Sequence, residues 1–350
     1  MTGLPPIPAG HEGTHVIAAV PMELTDAALA SDVVDGLALV EEGLRAAAQA
    51  ENDVLAEASA HLMEAGGKRF RPTLVLLAAQ FGDPKDPRIV PAAVAVELTH
   101  LATLYHDDVM DEAAVRRGGD SANSRWGNTV AILTGDYLFA RASALLADLG
   151  TDAIRIQAET FGRLVTGQIA ETVGPQPGDD PLEHYLRVVT EKTASLIATA
   201  GQFGAMFSGA PASVIERITP ACAALGVAFQ LSDDILDVAS ESAQSGKTPG
   251  TDLREGVRTL PMLHAMRSPG RAAGQHDGRL IELLSMSELT EPALHAEALT
   301  LLRDHPAMDM AKADTRHWAE LARTHILGLP DVPARSAFEA LCEFVVERTG

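Results

Sequence analysis

Two aspartate clusters of identical spacing, Asp107-Asp108-Val109-Met110-Asp111 and Asp233-Asp234-Ile235-Leu236-Asp237, stand 126 positions apart, each ending a segment otherwise dominated by apolar residues. At about 100° per residue the first and third carboxylates of such a trio share one helix face, about a turn apart, where both can converge on one cation. A single acidic triplet is as often solvated surface as a site. Two copies, each inside an apolar run, instead demand a counter-charge, because buried carboxylates without one are costly. The fold therefore has to bring the two helix ends face to face around hard cations. Mg²⁺ suits such sparse carboxylates, since it completes its octahedron with water and phosphate oxygens. A carboxylate pair for acid–base catalysis would leave four of the six without a role.

The rest of the chain reads as helix. Only 4% of its 350 residues are aromatic and Ala and Leu abound, which favours helices over sheets. Residues 1–20, rich in Pro and Gly, form a loose tail. From Leu24 onward Ala28, Val33, Leu37, Val40, Leu44 and Ala48 recur at roughly helical spacing, so the first long helix starts near Thr25. Gly66-Gly67 ends one helix, and Pro72 sits in the first turn of the next. Further helices are predicted over about 87–110, 128–149, 151–173, 181–207 and 212–238, separated by turns such as Gly118-Gly119-Asp120 and 175–180. Shorter ones follow near 276–286, 291–303, 311–327 and 332–348, after a polar loop at 240–250. No strand alternation interrupts them, and no composition shift divides them. Residues 21–350 are expected to form one all-α domain, a single large helical bundle with a central cavity.

Forty-eight acidic against 27 basic residues give a net charge of −21, which argues against nucleic acid as a partner. The basic residues nevertheless cluster beside glycine joints and the aspartates: Lys68 and Arg71, Arg116-Arg117, Lys192, and Lys247. Guanidinium forks suit diphosphate oxygens. Cys222 and Cys342, both in apolar helical context, predict unpaired thiols and a cytoplasmic setting. The start lacks the pattern of a signal peptide, and no run reaches about 18 consecutive apolar residues, so any membrane contact is expected to be peripheral.

The segments GGKRFRP (66–72), ELTHLATLYHDDVMDEAAVRR (97–117), the Lys192-Thr193 pair, FQLSDDILD (229–237) and GKTPGTDLREGVRTLP (246–261) together resemble the trans-isoprenyl diphosphate synthases, the polyprenyl synthetase family, over most of the chain from Gly66 to Pro261. The resemblance implies an isoprenoid synthase fold and a homodimer. It further implies three Mg²⁺ ions bridging an allylic diphosphate, with Asp107, Asp111 and Asp233 as ligands and Asp108, Asp234 and Asp237 in support. Arg116, Lys192 and Lys247 would hold that diphosphate, with Thr193 and Gln230 nearby, whereas Gly67, Lys68, Arg71, His100 and Arg117 would hold isopentenyl diphosphate. Ionisation of the allylic substrate and head-to-tail condensation would lengthen the chain by five carbons, the departing diphosphate acting as base. One departure from the family pattern is Val257, where a Lys is common, with Arg258 next.

In such enzymes a bulky side chain one turn or more above the first trio closes the product tunnel. Here Ala102 and Thr103, five and four residues before Asp107, are small, and Thr99 and Leu98 a further turn up are not aromatic either. Tyr105, about 200° from Asp107, should face away. The expectation is a medium- or long-chain all-trans product, with a bulky group on the 128–149 helix or a partner subunit as the device that would shorten it. The alternatives are a geranylgeranyl or farnesyl diphosphate synthase, a terpene cyclase, and a non-catalytic subunit of a heteromeric synthase. The intact GGKRFRP and the second aspartate trio argue against the last two.

Overall fold

The computed structural model describes residues 24–240, 249–267, 275–286 and 288–349. The tail expected over 1–20 and the loop position Lys247 lie outside them. The described chain is all-α apart from one two-residue ladder. Helices α1 (Ala27–Ala48) and α2 (Asp53–Glu64) open it, each started by a side-chain cap: Asp26 accepts from the Leu29 amide and Asn52 from that of Leu55. Then come α3 (Phe70–Ala79) and α4 (Ile89–Met110). Strands β1 (Val115–Arg116) and β2 (Gly119–Asp120) pair antiparallel across a two-residue turn, which the sequence reading had as a plain turn. Arg117 and Gly118, at φ 54° and 80°, supply the two positive dihedrals that a tight hairpin needs.

Helices α5 (Ala122–Trp126), α6 (Asn128–Leu149), α7 (Thr151–Val173), α8 (Pro181–Val189), α9 (Ser195–Phe207) and α10 (Ala212–Ala239) follow. The predicted helix 181–207 is continuous, but Thr190–Ala194 form a π turn between α8 and α9. The C-terminal helices are α11 (Thr251–Glu255), α12 (Leu260–Arg267), α13 (Gln275–Leu284), α14 (Pro292–Arg303), α15 (Ala307–Ile326) and α16 (Pro333–Glu347).

Helix α4 is buried at every position from Ala92 to Thr99, and α3 at every position from Pro72 to Ala79, so their apolar residues run all round the helix instead of along one stripe. With α9 and α10 they form the interior, wrapped by α1, α6, α15 and α16. A second, smaller core gathers the end of α8 and α11 to α15. Helix α10 threads both: Val214, Ile218, Cys222 and Leu225 belong to the first, Val227, Leu231, Ile235 and Val238 to the second. Both α6 and α10 are long and apolar enough to cross a membrane by length and composition. Half of the apolar window of α10 is interior to the bundle, against a third of that of α6. On and beside α6 an apolar surface is left, with Ile132, Leu133, Ile154, Val165, Ile169 and Val173 all exposed.

Candidate functional site

The first aspartate trio occupies the last turn of α4 and its C-cap. Asp108 is fully buried, its Oδ1 paired with the Arg116 guanidinium at 2.5 Å, while its Oδ2 has no partner. Asp107 lies half-buried beside it. Burial lifts its carboxyl to about 6, with Asp111 and Glu171 adding repulsion and Lys192 and Arg116 opposing it. A carboxylate so raised has room for a cation that would restore its charge. Asp111 is exposed at the cap, its amide bonded to the Asp107 carbonyl at 2.8 Å.

In the second trio, near the end of α10, Asp234 is buried and holds two hydrogen bonds: Tyr185 donates its hydroxyl to Oδ2, and Gln230 donates from Nε2 to Oδ1 at 3.0 Å. Burial outweighs both and raises Asp234 to about 7. The Tyr185 hydroxyl is itself pushed well up by burial and by the facing carboxylate. Asp237 accepts the amides of Thr251 and Asp252 at 3.2 and 3.3 Å, so it caps the N-terminus of α11. Asp233 is half exposed and ion-paired to Arg348, next to the C-terminus. That guanidinium also donates to the Phe229 carbonyl at 3.0 Å and lies 4.4 Å from the Phe229 ring centre.

The π turn joins the trios. Its Lys192 donates to Glu171 on α7 and lowers Asp107, while its Thr193 donates to Gln230 at 3.3 Å and so reaches Asp234 at one remove. Glu255 in α11 is raised first by burial and then by Asp111 and Asp237, which puts one member of each trio near the same group. Gly167 makes the approach of α7 possible: a Cβ there would stand 2.6 Å from the Lys192 amide nitrogen. Single π turns recur at functional sites, because the inserted residue re-aims its neighbours. Among the described residues no three acidic, His or Cys side chains converge on one point. The donor set fits cations that take only one or two carboxylates each and complete their shell from a ligand.

A second cluster, of cations, lies around the Gly66-Gly67 joint. Gly66 and Gly67 take φ of 89° and 153°, conformations that a side chain resists. A Cβ on Gly67 would meet the guanidinium nitrogens of Arg117 and Arg69 at 3.0 Å. Arg117 braces the joint by donating to the carbonyls of Leu62, at 2.6 Å, and Gly66. Burial lowers Arg71, and its Nε is enclosed without a partner. His100, about two turns before Asp107 on α4, is held well below its ordinary pKa by burial and by Arg71, Arg117, Arg69 and Arg116, so it is neutral. Lys68 is exposed. Four guanidiniums thus act on one neutral imidazole beside the first trio, and they carry the kind of donors that suit an anion.

Of the tunnel positions, Ala102 is buried where α6 packs on α4, its carbonyl 3.1 Å from where a Gly135 Cβ would be. Thr99 is buried and accepts from Gln157 of α7 at 2.5 Å, and Thr103, half-buried, bonds its own helix at the His100 carbonyl. Tyr105 turns to the other side, donating to the Ala58 carbonyl of α2. Phe139 of α6 and Phe161 of α7 pack with ring centres 4.0 Å apart and planes tilted by 32°, each one turn along from the residues that face Ala102 and Thr99. Val257 and Arg258 are both exposed, and among the described residues no contact links Arg258 to the site.

Glu171, Tyr185, Glu255 and Arg348 were not foreseen as site residues. Glu171 carries a weak signal, four residues after Gly167 and hence on the same face; Arg348 carries none, being separated from Asp233 by 115 positions.

A sequence profile described as "Polyprenyl synthetase" matches residues 52–321. The chain is 50% identical to the nonaprenyl diphosphate synthase of Mycobacterium tuberculosis over 94% of its own length and 97% of that protein. It also superposes on the crystal structure of geranylgeranyl pyrophosphate synthase from Corynebacterium glutamicum complexed with calcium and isoprenyl diphosphate. The TM-score is 0.84 at 44% identity, over 94% of this chain and 100% of the other. With the decaprenyl diphosphate synthase structure from Rhodobacter capsulatus it shares 35% identity and a TM-score of 0.81, over 92% and 99% of the two chains.

Proposed function

We propose that this chain, which belongs to the polyprenyl synthetase family and is a prenyltransferase, elongates an allylic diphosphate with isopentenyl diphosphate to a long all-trans polyprenyl diphosphate. The observation that carries the reading is the π turn, whose Lys192 donates to Glu171 and acts on Asp107 while Thr193 donates to Gln230, which in turn donates to Asp234. The two trios thereby flank one space lined with cations.

Asp107, Asp111 and Asp233 would hold Mg²⁺, three ions in all, with Asp108, Asp234 and Asp237 as supports. When bound, Mg²⁺ supplies positive charge that offsets the charge developing on the leaving diphosphate. Lys192, Arg116 and Lys247 hold the allylic diphosphate, beside Thr193 and Gln230. Gly67, Lys68, Arg71, His100 and Arg117 bind isopentenyl diphosphate, with His100 neutral. The allylic C–O bond breaks and its electron pair leaves on the diphosphate. The double bond of isopentenyl diphosphate supplies the pair for the new carbon–carbon bond, and the departing diphosphate takes the proton that is lost. Fixed cations beside that diphosphate need no reorganisation as charge develops, the kind of preorganisation that dominates many active sites.

Small residues at Thr99, Ala102 and Thr103 and the 50% identity to a nonaprenyl diphosphate synthase support a long product. A second reading, geranylgeranyl diphosphate, is favoured by the Phe139–Phe161 pair and by the likeness to the Corynebacterium glutamicum enzyme. A homodimer is supported by the exposed apolar face of α6 and α7. A cytoplasmic location is supported by two buried, unpaired cysteines.

The test is elongation of farnesyl diphosphate with labelled isopentenyl diphosphate and Mg²⁺, followed by sizing of the dephosphorylated products. Products beyond twenty carbons are expected, and EDTA should abolish them. Absence of elongation would refute the activity, and a product that stops at twenty carbons would refute the long chain.

A further inference from the structure

A buried carboxylate sits among the guanidiniums of the Gly66-Gly67 cluster. Glu97 is 2% exposed and is the sole formally charged residue between Ile89 and Tyr105. Its Oε1 accepts from Arg69 Nη1 at 3.2 Å, and its charge also acts on Arg71 and Arg117. Arg69 is equally enclosed, at 6% exposure. Its Nε pairs with Glu41 of α1 at 2.5 Å, and its Nη2 donates to the Met63 carbonyl at 3.1 Å. The backbone of Arg69 is left-handed, φ 45°, which for a non-glycine residue requires its surroundings to hold it.

A buried ion triad of this kind is often no more stabilising than apolar packing, so stability alone does not account for it. Geometry gives it a second task. Arg71 and Arg117 repel one another, and the Arg71 Nε is enclosed with no partner. A carboxylate behind them lets two such cations share the rim of one space while their remaining donors stay free for a ligand.

The geometry points to Glu97 as a positioning residue for isopentenyl diphosphate: together with Glu41 and Arg69 it sets Arg71 and Arg117 at the separation that binds the diphosphate, and it touches no reacting atom. This rests on the assignment of that cluster to isopentenyl diphosphate. Glu41 lies outside the residues that the family profile matches, so this support reaches the pocket from a part of the chain beyond the motifs.

The test uses E97Q, E97D and E41Q in the full-length protein. KM for isopentenyl diphosphate and for farnesyl diphosphate are measured separately, together with calorimetric binding of isopentenyl diphosphate in the absence of an allylic substrate. E97Q should raise KM and Kd for isopentenyl diphosphate at least about tenfold, with KM for farnesyl diphosphate within about twofold. E97D should recover part of the loss. A carboxylate that merely damps the positive field would give the opposite sign, tighter binding in E97Q, and that result would overturn the inference. So would equal rises in both KM values, which mark a general scaffold. Should E97Q fail to fold, E41Q, whose carboxylate is 34% exposed, must show the same split in smaller degree, and no split refutes the role. A wild-type protein that binds isopentenyl diphosphate yet does not elongate would defeat the proposed activity, while the calorimetry still decides for or against Glu97.

Discussion

Replacing Asp234 by Asn should make the metal-free protein more stable, and increasingly so as pH rises. In the fold Asp234 is buried, and its carboxyl stands at about 7 against an ordinary 3.8. An acid whose pKa is higher folded than unfolded keeps its proton in the native state after the unfolded chain has lost it. The native state then binds more protons, and stability falls with rising pH between the two values and is flat outside them. A rise of roughly three pH units at about 1.4 kcal/mol each gives ~4 kcal/mol as an upper figure, and ~2–4 kcal/mol is a fair expectation for a group that is also hydrogen-bonded. The amide of D234N keeps acceptor and donor capacity for Tyr185 and Gln230 without the charge. Urea unfolding followed by far-ultraviolet circular dichroism, in EDTA at pH 5, 6, 7 and 8, gives the difference between the two proteins, and other carboxyls cancel in it. The stability advantage of D234N should grow from pH 5 to 7 and level off above. A difference independent of pH, or one that shrinks as pH rises, would refute the argument that burial dominates this carboxyl. Activity should fall by about ten- to a hundredfold in the same variant, the loss expected for a residue that supports the proposed metal ions.

Three further outcomes follow from particular contacts. A102F, where α6 packs on α4, should shorten the product, whereas F161A, which removes one ring of the pair with centres 4.0 Å apart, should lengthen it; unchanged products in both, sized by chromatography, would put the tunnel floor elsewhere. G167A would drive a Cβ to 2.6 Å from the Lys192 amide nitrogen, so α7 must shift, at a cost of about 1–3 kcal/mol, read as a lower Tm together with a lower kcat; an unchanged Tm would mean that the helices are not in contact there. Arg348 pairs with Asp233, so R348Q should lower the half-saturating Mg²⁺ concentration about two- to fivefold in a steady-state titration, and a rise would show that Arg348 assists metal binding.

The aspartate trios and the helices that carry them were legible because a carboxylate in an apolar run is a conflict that only a counter-charge resolves. Helix limits such as 128–149 and 151–173 followed from glycines at their ends, and the structure reproduces them. The π turn was not legible: Thr190–Ala194 have ordinary helix-forming composition, and the extra residue is required only by what α7 and α10 present to it. The hairpin at 115–120 escaped because two residues per strand leave no alternation to detect. Glu97 could have been found, as a lone charge in a long apolar helix must be paired. Glu41, which shares Arg69 with it, could not, since nothing in α1 distinguishes that carboxylate from its exposed neighbours.

The π turn also separates two packing problems. Before it, Val189 belongs to the smaller core; after it, Leu196 and Ile197 belong to the larger one. An unbroken α-helix would tie the rotational phase of one half to the other, so that any adjustment of one core would twist the helix in its neighbour. The additional residue acts as a clutch: each half turns to suit its own surroundings, and Lys192 and Thr193 stand in the decoupled stretch. Deleting one residue from 190–194 would close the turn into regular α-helix and re-aim Lys192 and Thr193 away from Glu171 and Gln230, a lesion that no side-chain substitution elsewhere could compensate.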